Sequence, residues 1–587
     1  MTTEHIEAES LLVVDVGSNS TRAMLFDVVD GRYRYLGTGK GPTTETAPYL
    51  NIAEGVRIAL DQLKAITGRE FVGTDEQLIS PSSVEGYGVD AFVATLSVGT
   101  PLKIVIVGLL ESVSVESARR IGRSTYGRVV DVISLNDQRK PEERIDSILH
   151  LRPDVIIIAG GTDDGASQSV LNLVEAVGLA CYLLPEGQRP KVLFVGNKNL
   201  RQDVESMFGE VVKLYFAPNV RPTLEIEQLD APRAEMAKIF SDLRSEQLTG
   251  VSELSNWSKG KDLIPTSSAY GRVIQFLSMD HSPQKGVLGI DVGASAITIG
   301  TAYDGYLSLG IYPHSDNLAK LSSLTEPAYL DKIKRWLMID LPDDAIQEYL
   351  LQKSLYPKIL PAVPEDLAIE QALLRVKIRR AIQAAGGSFP QGMISPGDDL
   401  LPWVEPIIAT GSGLIDAPDL SMSILALLDG LQPTGVTTLI LDQNMIAAAL
   451  GAAATINPLL LVQILNSNAF LHVGTVIAPV GNARSGTPIL RLKISYESGN
   501  TTDMEIKQGA FEVITIPRGQ SARLQLQPLN RFDIGMGAPG RGGGLKITGG
   551  EMGVIIDARG RPLSLSDDMI IRADEFQKWR LMLGGRQ

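Results

Sequence analysis

The chain has 587 residues, of which 44% are hydrophobic and 21% are charged, a composition typical of a globular protein with room for three or four domains. The formal net charge is −14 and no block of Lys and Arg stands out, which excludes nucleic acid from the expected partners. The single cysteine, Cys181, excludes an internal disulfide and a cysteine-based metal site.

The sequence also indicates where the protein resides. The first ten residues have neither a basic region nor an apolar region, so no signal peptide is predicted. The most apolar stretch, Met445–Leu465, contains Asn457, Pro458 and Gln463 and lacks the about 18 consecutive apolar residues of a membrane-spanning helix. We therefore expect a cytoplasmic protein without membrane contact, with Cys181 buried in a reducing compartment.

The amino-terminal segment predicts three strands joined by tight turns. The apolar run Leu11–Val14 is broken by Asp15–Ser20, resumes at Thr21–Val29 and is followed by an alternating run at Tyr33–Thr38. Apolar residues at helical spacing then predict a helix over Asn51–Ile66, with Asn51 as its N-cap.

The next part of the chain, residues 102–219, alternates strands with helices. The predicted strands are apolar throughout, which favours a parallel sheet covered by helices on both faces. They are Ile104–Leu109, Val129–Leu135, Val155–Ala159, Val192–Val195 and Val211–Phe216, and the clearest helices are Glu142–Leu151 and Val170–Val177. This sheet is interpreted as an insertion into another domain.

The opening pattern then recurs. The apolar run Val287–Ile290 is broken by Asp291–Ala294 and continues as a strand at Ala296–Tyr303. Residues 325–386 are charged and helical, and residues 400–465 return to an α/β pattern. From about residue 470 the chain is rich in predicted strands, and the glycine-rich segment Gly535–Gly544 is interpreted as a hairpin connection rather than a binding loop.

The two Asp-Val-Gly loops carry the chemistry. Gly17 permits a tight turn, and the backbone N–H groups of residues 17–20 can face phosphate oxygens together with the hydroxyls of Ser18, Ser20 and Thr21. Asp15, at the strand end, can act on phosphate through a hydrated Mg²⁺, which takes few protein ligands. One such loop is also compatible with an ordinary hairpin, but the second copy at Asp291 favours a pair of loops that grip phosphates from both sides.

The paired loops resemble the phosphate-1 and phosphate-2 motifs of the actin, sugar-kinase and heat-shock chaperone ATPase superfamily. Two further motifs of that superfamily follow in the same order. The adenosine motif is similar to Ile407–Gly413, with Gly411, Ser412 and Gly413, and the small-residue connecting helix is similar to Ala447–Ala454. The resemblance implies ATP and Mg²⁺ as cofactors, with Asp15 and Asp291 as the metal residues. It also implies nucleotide contacts from Asn19, Gly293 and Ala294 beside the loop residues named above.

Within the superfamily, the chain resembles the MutL-type accessory proteins of glutamate mutase, a family distinct from the mismatch-repair protein of the same name. The similar segments cover about the first 300 residues: Asp15–Asp27, Val105–Arg120, Asp154–Gly165, Val192–Asn199, Ala217–Pro222, Ile264–Tyr270 and Gly286–Ala294. The resemblance implies a partner that is a cobalamin-dependent mutase subunit, which the accessory protein protects or reactivates as ATP closes its lobes. Self-association into a homo-oligomer is left open.

The second loop departs from the family pattern. The family reads Asp-Val-Gly-Gly-Ala-Thr-Thr-Asp, whereas this chain has Asp291-Val292-Gly293-Ala294-Ser295-Ala296-Ile297-Thr298. Ala296 and Ile297 cannot bind phosphate or metal through their side chains, so slow or lost hydrolysis is expected while nucleotide binding is kept. The catalytic base stays unknown.

The fold expected from these features is α/β, with a two-lobed actin-like ATPase (ribonuclease H-like) core, an inserted Rossmann-like parallel-sheet domain and a C-terminal β domain. The ATPase core comprises residues 1–100, 226–330 and 387–467. The inserted domain covers 101–225, a helical insert covers 331–386 and the β-rich domain covers 468–587. A second ligand site at Ala159–Thr162 and Val195–Asn197 remains an alternative to structural turns. Two other functions stay open: a non-hydrolysing nucleotide-binding scaffold, and a small-molecule kinase or hydantoinase-like hydrolase.

Overall fold

The computed structural model describes residues 9–83, 86–258, 263–280, 284–314 and 326–585. Two compact units are present. The first comprises the chain up to Tyr270 with Leu309–Pro313 and Ala448–Ile464, and the second comprises Gly271–Ser308, His314–Ala447 and the chain from Leu465 onward. Most of the segment for which no signal peptide is predicted lies outside the described residues. Within the described ranges, no helix is long and apolar enough to cross a membrane.

The first unit is built on two sheets. Its strands are β1 (Leu11–Val16), β2 (Ser20–Val29), β3 (Arg32–Pro42), β4 (Ala91–Leu96), β5 (Leu102–Gly108), β6 (Gly127–Ser134), β7 (Val155–Ala159), β8 (Lys191–Phe194), β9 (Leu214–Phe216) and β10 (Ile264–Pro265). The first sheet has the order β10-β4-β1-β2-β3. Strand β2 is antiparallel to β1 and β3, whereas β4 runs parallel to both β1 and β10. When the strands of this sheet are counted in chain order, with β10 as the fifth, the order is 3-2-1-4-5. This is the order of a ribonuclease H-like core, as the sequence predicts.

A helix packs directly on this sheet because glycines replace side chains on β3. The helix Ile52–Thr67 begins after Asn51, whose side chain accepts from the Ala53 N–H as predicted. A Cβ placed on Gly39 would stand 2.0 Å from the carbonyl oxygen of Ala59 in that helix. Any larger residue would therefore push the helix away from the strand.

The second sheet of this unit confirms the predicted parallel arrangement. Its order is β6-β5-β7-β8-β9, and every neighbouring pair is parallel. The helices around both sheets are Glu116–Gly122, Pro141–Leu151, Gln168–Leu183, Arg201–Phe208, Asp230–Gln247, Val251–Trp257 and Pro458–Leu465. One face of the parallel sheet has its own apolar core, whereas Ile104, Ile106 and Ile157 belong to the core that also contains Leu12 and Val14. The two sheets therefore share buried surface.

The second unit repeats the ribonuclease H-like order. Its strands are β11 (Gly286–Val292), β12 (Ala296–Tyr303), β13 (Tyr306–Pro313, whose part Leu309–Pro313 is assigned to the first unit), β14 (Val404–Thr410), β15 (Gly435–Leu441), β16 (Leu471–Ala478), β17 (Pro488–Tyr496), β18 (Thr501–Lys507), β19 (Phe511–Ile514), β20 (Ser521–Pro528), β21 (Gly543–Thr548) and β22 (Gly553–Asp557). An eight-stranded sheet has the order β13-β12-β11-β14-β15-β16-β22-β19. Its first five strands again read 3-2-1-4-5.

The chain after about residue 470 is rich in strands, as predicted. Four of them form an antiparallel sheet of order β18-β17-β20-β21. Strands β16, β19 and β22 instead extend the eight-stranded sheet. Most of the segment Gly535–Gly544 connects the paired antiparallel strands β20 and β21, which confirms its interpretation as a hairpin connection, while Gly543 and Gly544 already belong to β21.

Helices complete the second unit. In two further helices the chain changes from one unit to the other. The helices of the second unit are Pro327–Lys334, Asp343–Leu355, Pro364–Gly386, Ser412–Ile415, Leu420–Leu431 and Met569–Met582. The helices in which the chain changes from one unit to the other are Thr266–Asp280 and Ala447–Ala453. The latter confirms the predicted small-residue helix, and a Cβ on Gly451 would stand only 1.8 Å from the carbonyl oxygen of Ala269.

The observed topology is therefore α/β, with two ribonuclease H-like sheets of the actin-like ATPase type, an additional parallel sheet and a β-rich carboxyl-terminal part. The domain boundaries given by the sequence stay predictions.

Candidate functional site

The first predicted loop is a short turn between two antiparallel strands. Gly17 follows β1, its N–H donates to the carbonyl oxygen of Ser20 at 3.1 Å, and a Cβ on Gly17 would stand 2.9 Å from that oxygen. Ser18, Asn19 and Ser20 are partly exposed. The turn thus presents small polar residues and backbone N–H groups to solvent at the carboxyl end of β1.

Asp15 is held in one orientation by two threonines. The hydroxyl of Thr95, on the parallel strand β4, donates to Asp15 Oδ1 at 2.6 Å, and the hydroxyl of Thr266 donates to the same oxygen at 2.9 Å. Asp15 Oδ2 has no hydrogen-bond partner among the residues that the structure describes, and the side chain is partly exposed. One carboxylate oxygen thus remains for a water of a hydrated Mg²⁺.

Thr43 fastens the first loop from the end of β3. Its N–H donates to the carbonyl oxygen of Asn19 at 3.1 Å, and its hydroxyl donates to the carbonyl oxygen of Gly17 at 2.7 Å. Thr21 is fully buried, with its hydroxyl 3.1 Å from that of Thr43. The structure thus places the Thr21 hydroxyl inside the protein, unlike Ser18 and Ser20, so we expect Thr21 to support the loop rather than to meet phosphate.

Arg22 is a residue that motif comparison does not single out. It lies directly opposite Asp15 in the β1–β2 pair, so the two side chains share one face of the sheet. Arg22 is only 7% exposed, and its buried Nη2 lacks a hydrogen-bond partner within the described ranges. Its other cross-strand neighbour is the cationic Lys40. Burial of a cation costs free energy unless the cation is paired with an anion. The site can therefore accept an anion beside Arg22 Nη2.

The second loop repeats the backbone geometry of the first. Gly293 N–H donates to the carbonyl oxygen of Ala296 at 3.0 Å, and Ala294 is exposed. His314 makes the contacts that Thr43 makes in the first loop. Its N–H donates to the carbonyl oxygen of Ser295 at 2.9 Å, and its Nε2 lies 3.0 Å from the carbonyl oxygen of Gly293. Burial, and then the charge of Lys377, lowers the pKa of His314 well below its ordinary value, so neutral His314 donates through Nε2.

The predicted adenosine motif lies against the second loop. Strands β11 and β14 are parallel neighbours with Asp291 opposite Thr410. A Cβ on Gly411 would stand 2.5 Å from Asp291 Oδ1 and 2.5 Å from the backbone nitrogen of Val292, while one on Gly413 would stand 2.8 Å from the Val292 side chain. The structure therefore brings Asp291 and Gly411–Gly413 together, and both glycines are required by close packing.

Asp442 is a second residue that the sequence does not reveal. It follows β15, is fully buried, and accepts hydrogen bonds from the Ala447 N–H at 2.7 Å, the Ile446 N–H at 3.0 Å and the Thr410 hydroxyl at 3.2 Å. It therefore caps the small-residue helix and joins it to the end of β14. Burial raises its pKa to about 6, despite these hydrogen bonds.

An open cavity of about 420 Å³ adjoins the short helix Ser412–Ile415. Its walls include Leu414, Leu441 and Leu471, and Arg518 and Glu551 supply charges from the β-rich part of the chain. Apolar walls with a few polar groups are usual for small-molecule sites. The cavity lies within the second unit, beside the adenosine motif.

The predicted site residues thus fall into two groups, each ordered by its own unit. Asp15 and Gly17–Thr21 belong to the first unit, whereas Asp291, Gly293, Ala294 and Gly411–Gly413 belong to the second. Within the described part of the chain, no group of three or more His, Cys, Asp or Glu side chains could hold a metal ion directly. A magnesium ion held through water by single carboxylates is compatible with that finding.

Comparison with known proteins agrees with the motifs. The family model described as MutL protein matches residues 11–310 and 317–469. The protein named Protein MutL from Clostridium tetanomorphum is 23% identical over 434 residues, which cover 69% of this chain and 86% of that protein.

The comparison with solved structures gives matches of low similarity only. A nucleotide-free acetone carboxylase is 11% identical with a TM-score of 0.29, covering 86% of this chain and 81% of its own. The ethanolamine utilization protein EutJ from Carboxydothermus hydrogenoformans is 8% identical with a TM-score of 0.26, covering 76% and 89%. The acetate kinase of Porphyromonas gingivalis is 11% identical with a TM-score of 0.26, covering 76% and 100%.

The family model spans both ribonuclease H-like sheets and every predicted site residue, so the family inferred from the motifs is confirmed: the chain belongs to the MutL protein family.

Proposed function

We propose that this protein binds ATP with Mg²⁺ and serves as an accessory protein to a cobalamin-dependent mutase such as glutamate mutase. The observation that carries the nucleotide proposal is the pairing of Asp15 with Arg22 on one face of the first sheet. Asp15 is oriented by two threonines, and among the described residues its second oxygen has no hydrogen-bond partner and the buried Arg22 forms no ion pair. A magnesium phosphate supplies the missing partner to both groups.

The remaining contacts follow from the loop geometry. Ser18, Asn19 and Ser20 would meet phosphate oxygens through backbone N–H groups and hydroxyls, with Gly17 permitting the close approach and Thr21 behind them. Asp291 would hold Mg²⁺ through water, with Gly293 and Ala294 near phosphate, and Gly411, Ser412 and Gly413 would face adenosine. The cavity beside Leu414, with both apolar and polar walls, has a suitable size for the base.

Hydrolysis is proposed to be slow. Ala296 and Ile297 stand where the family has hydroxyl residues, and Ile297 is 1% exposed. Neither of these two side chains can activate water or bind a metal, so at these two positions the second loop offers only backbone groups. The same observation favours the alternative of a non-hydrolysing scaffold. No specific observation favours a small-molecule kinase or hydrolase.

The proposal of nucleotide binding is tested with calorimetric titration of Mg-ATP into wild-type protein and the variant Asp15→Asn. The asparagine oxygen can still accept from Thr95 and Thr266, so the fold should persist while the metal-dependent affinity falls at least tenfold. Undiminished Mg-ATP affinity in that variant would remove Asp15 from the site. Turnover near the ~10 s⁻¹ median of enzymes would contradict slow hydrolysis.

The accessory role needs its own experiment. We expect the tagged protein to capture a cobalamin-dependent mutase from a native extract, with capture that depends on Mg-ATP. Recovery of mutase activity after inactivation should require the wild-type protein and fail with Asp15→Asn. Capture or recovery that is indifferent to nucleotide would favour the scaffold, and light scattering of the purified protein would settle whether it is a homo-oligomer.

A further inference from the structure

A second cavity, of about 500 Å³, lies in the second unit away from the candidate nucleotide site. Its walls are the end of the helix Pro364–Gly386, the segment 387–402 and Leu431. Leu401 and Pro402 precede β14, so the cavity lies at the amino end of that strand. Gly411 follows the other end of the same seven-residue strand, about 20 Å away. The cavity is therefore separate from the nucleotide residues.

The cavity wall is fixed by hydrogen bonds of its own. Trp403 N–H donates to the carbonyl oxygen of Ile394 at 2.9 Å, which closes the segment into a loop. The buried hydroxyl of Thr434 donates to the carbonyl oxygen of Leu401 at 2.8 Å. These bonds order the loop from within the chain, and small-molecule sites are usually preformed in this way.

A cation without a hydrogen-bonded partner faces this cavity. Arg379 is half-buried in the wall, and within the described ranges neither a hydrogen bond nor an ion pair joins it to another residue. Arg375 lies four residues earlier on the same helix and thus on the same face. Its Nε lies 2.8 Å from Asp429 Oδ2, so the two arginines differ in that only Arg375 is paired.

The groups behind Arg379 do not supply the missing negative charge. Arg375, Arg559 and Arg561 share two carboxylates, Asp429 and Asp557, in a cluster whose side chains are 0–2% exposed. That cluster has three guanidinium groups and two carboxylates. Burial lowers the pKa of Arg379 most, and the positive charge of Arg561 lowers it further. The negative charge of Asp399 raises this pKa. The interior side of the cavity is therefore positively charged.

The other walls define the rest of the ligand. Ile382, Phe389, Met393 and Leu401 are apolar, and the exposed residues Asp398 and Asp399 also line the cavity. Phosphate and other multiply charged anions would be repelled by these carboxylates more than a singly charged anion. A single carboxylate can form two parallel hydrogen bonds with a guanidinium group.

We propose that this cavity is a binding site for a small organic monocarboxylate with an apolar body, whose carboxylate pairs with Arg379. The site is independent of the proposed nucleotide function, because none of its residues belongs to the phosphate loops or the adenosine motif.

The experiment uses the full-length protein and two matched probes, 4-methylpentanoate and its neutral analogue 4-methylpentanamide, followed by ligand-observed NMR and calorimetry. We expect the carboxylate to bind in the millimolar range or tighter and the amide to bind about tenfold more weakly or not at all. Arg379→Gln should weaken binding of the carboxylate about tenfold or more. Arg380→Gln, a change at the exposed neighbouring position, should leave it unchanged.

A second variant separates a local site from a surface charge effect. Ile382→Trp should fill the cavity and abolish binding of the carboxylate, while Mg-ATP titrations and melting curves report that each variant is folded. The proposal is overturned if neither probe binds at 20 mM, roughly the upper limit of weak fragment affinity. Equal binding of the amide, or undiminished binding by Arg379→Gln, would overturn it as well.

Discussion

The hydroxyl of Thr43 donates a 2.7 Å hydrogen bond to the carbonyl oxygen of Gly17, which fixes the first loop to the end of the third strand. His314 makes the corresponding contact with Gly293, and each donor follows a proline, Pro42 or Pro313, at the end of a strand. The two loops therefore share an internal repeat longer than the Asp-Val-Gly motif. The second part of the repeat is Pro42-Thr43 in one copy and Pro313-His314 in the other. Because threonine and histidine are different residue types, comparison of the sequences does not reveal this correspondence.

Substitution of Arg22 should separate phosphate binding from folding. Because the buried Arg22 has no ion pair with any residue that the structure describes, we expect Arg22→Gln to leave the melting temperature of the unliganded protein unchanged or higher. The same variant should bind Mg-ATP at least tenfold more weakly, since hydrogen bonds to charged groups contribute about 1.5–3 kcal/mol. Calorimetric titration with Mg-ATP and with adenosine measures both effects.

Adenosine affinity should not change in Arg22→Gln, and Arg22→Lys should retain part of the Mg-ATP affinity. Arg32→Gln, at the exposed start of β3, is the matched control and should behave as the wild-type protein. Equal losses for adenosine and Mg-ATP would show that Arg22 acts on the structure of the site rather than on phosphate.

Motif and periodicity were sufficient for the framework but not for the groups that orient it. Short apolar runs predict β1, β2 and the five strands of the parallel sheet within a few residues, because strands of a sheet covered on both faces are mostly apolar. Strand β18, Thr501–Lys507, is largely exposed and lacks an apolar run, so no pattern in the sequence marks it. Thr95 and Thr266 lie far apart in the sequence, on strand β4 and at the start of a helix. The sequence does not show that both contact Asp15, because those contacts depend on strand order.

Gly411→Ala should damage the adenosine motif. Gly411 has φ of +102°, and an added Cβ would stand 2.5 Å from Asp291 Oδ1 and from backbone atoms of Val292, which cannot rotate away. We expect a loss of unfolding free energy of roughly 1–3 kcal/mol from the strained backbone, together with loss of Mg-ATP binding. Urea unfolding and calorimetry measure the two effects.

The control is Gly187→Ala, where no atom lies within 4 Å of the added Cβ and φ is not in the left-handed region. That variant should keep wild-type stability and affinity. Normal nucleotide affinity in Gly411→Ala would mean that the close packing at Asp291 is not part of the nucleotide site.

Asp442 should make the stability of the second unit depend on pH. Its folded-state pKa, about 6, lies above the ordinary value of 3.8, so the folded protein holds the proton more tightly than the unfolded chain. The resulting stabilisation is complete below pH 3.8 and is lost as the pH rises through 6. The loss is about 3 kcal/mol, at 1.36 kcal/mol per pKa unit.

Asp442→Asn removes this ionisation, so the difference in unfolding free energy between wild type and variant isolates the effect from other groups. Urea unfolding at pH 4.5 and 7.5 should show the wild-type protein losing stability relative to the variant at the higher pH. A difference that stays constant with pH would show that Asp442 does not titrate in this window.

The buried ion cluster should be the most sensitive part of the second unit to the loss of one charge. Asp429 lies between Arg375 and Arg559, with both ion pairs at 2.8 Å, and its side chain is fully buried. The guanidinium of Arg559 also lies 4.4 Å from the ring centre of Trp579, in the carboxyl-terminal helix Met569–Met582. The ion pairs thus join three distant segments of the chain, and the contact with Trp579 adds the carboxyl-terminal helix as a fourth.

Asp429→Ala removes a partner from two buried arginines, and breaking a buried pair in this way typically costs about 3–5 kcal/mol. Glu505→Ala breaks an ion pair with Arg491 whose side chains are 41% and 59% exposed, so its effect should stay within about 1 kcal/mol. Urea unfolding monitored by tryptophan fluorescence compares the two variants directly. Since Trp579 packs on Arg559, the loss of Asp429 should also change the emission of the folded protein. Equal effects of the two substitutions would mean that solvent reaches the cluster and that its charges are not confined to the protein interior.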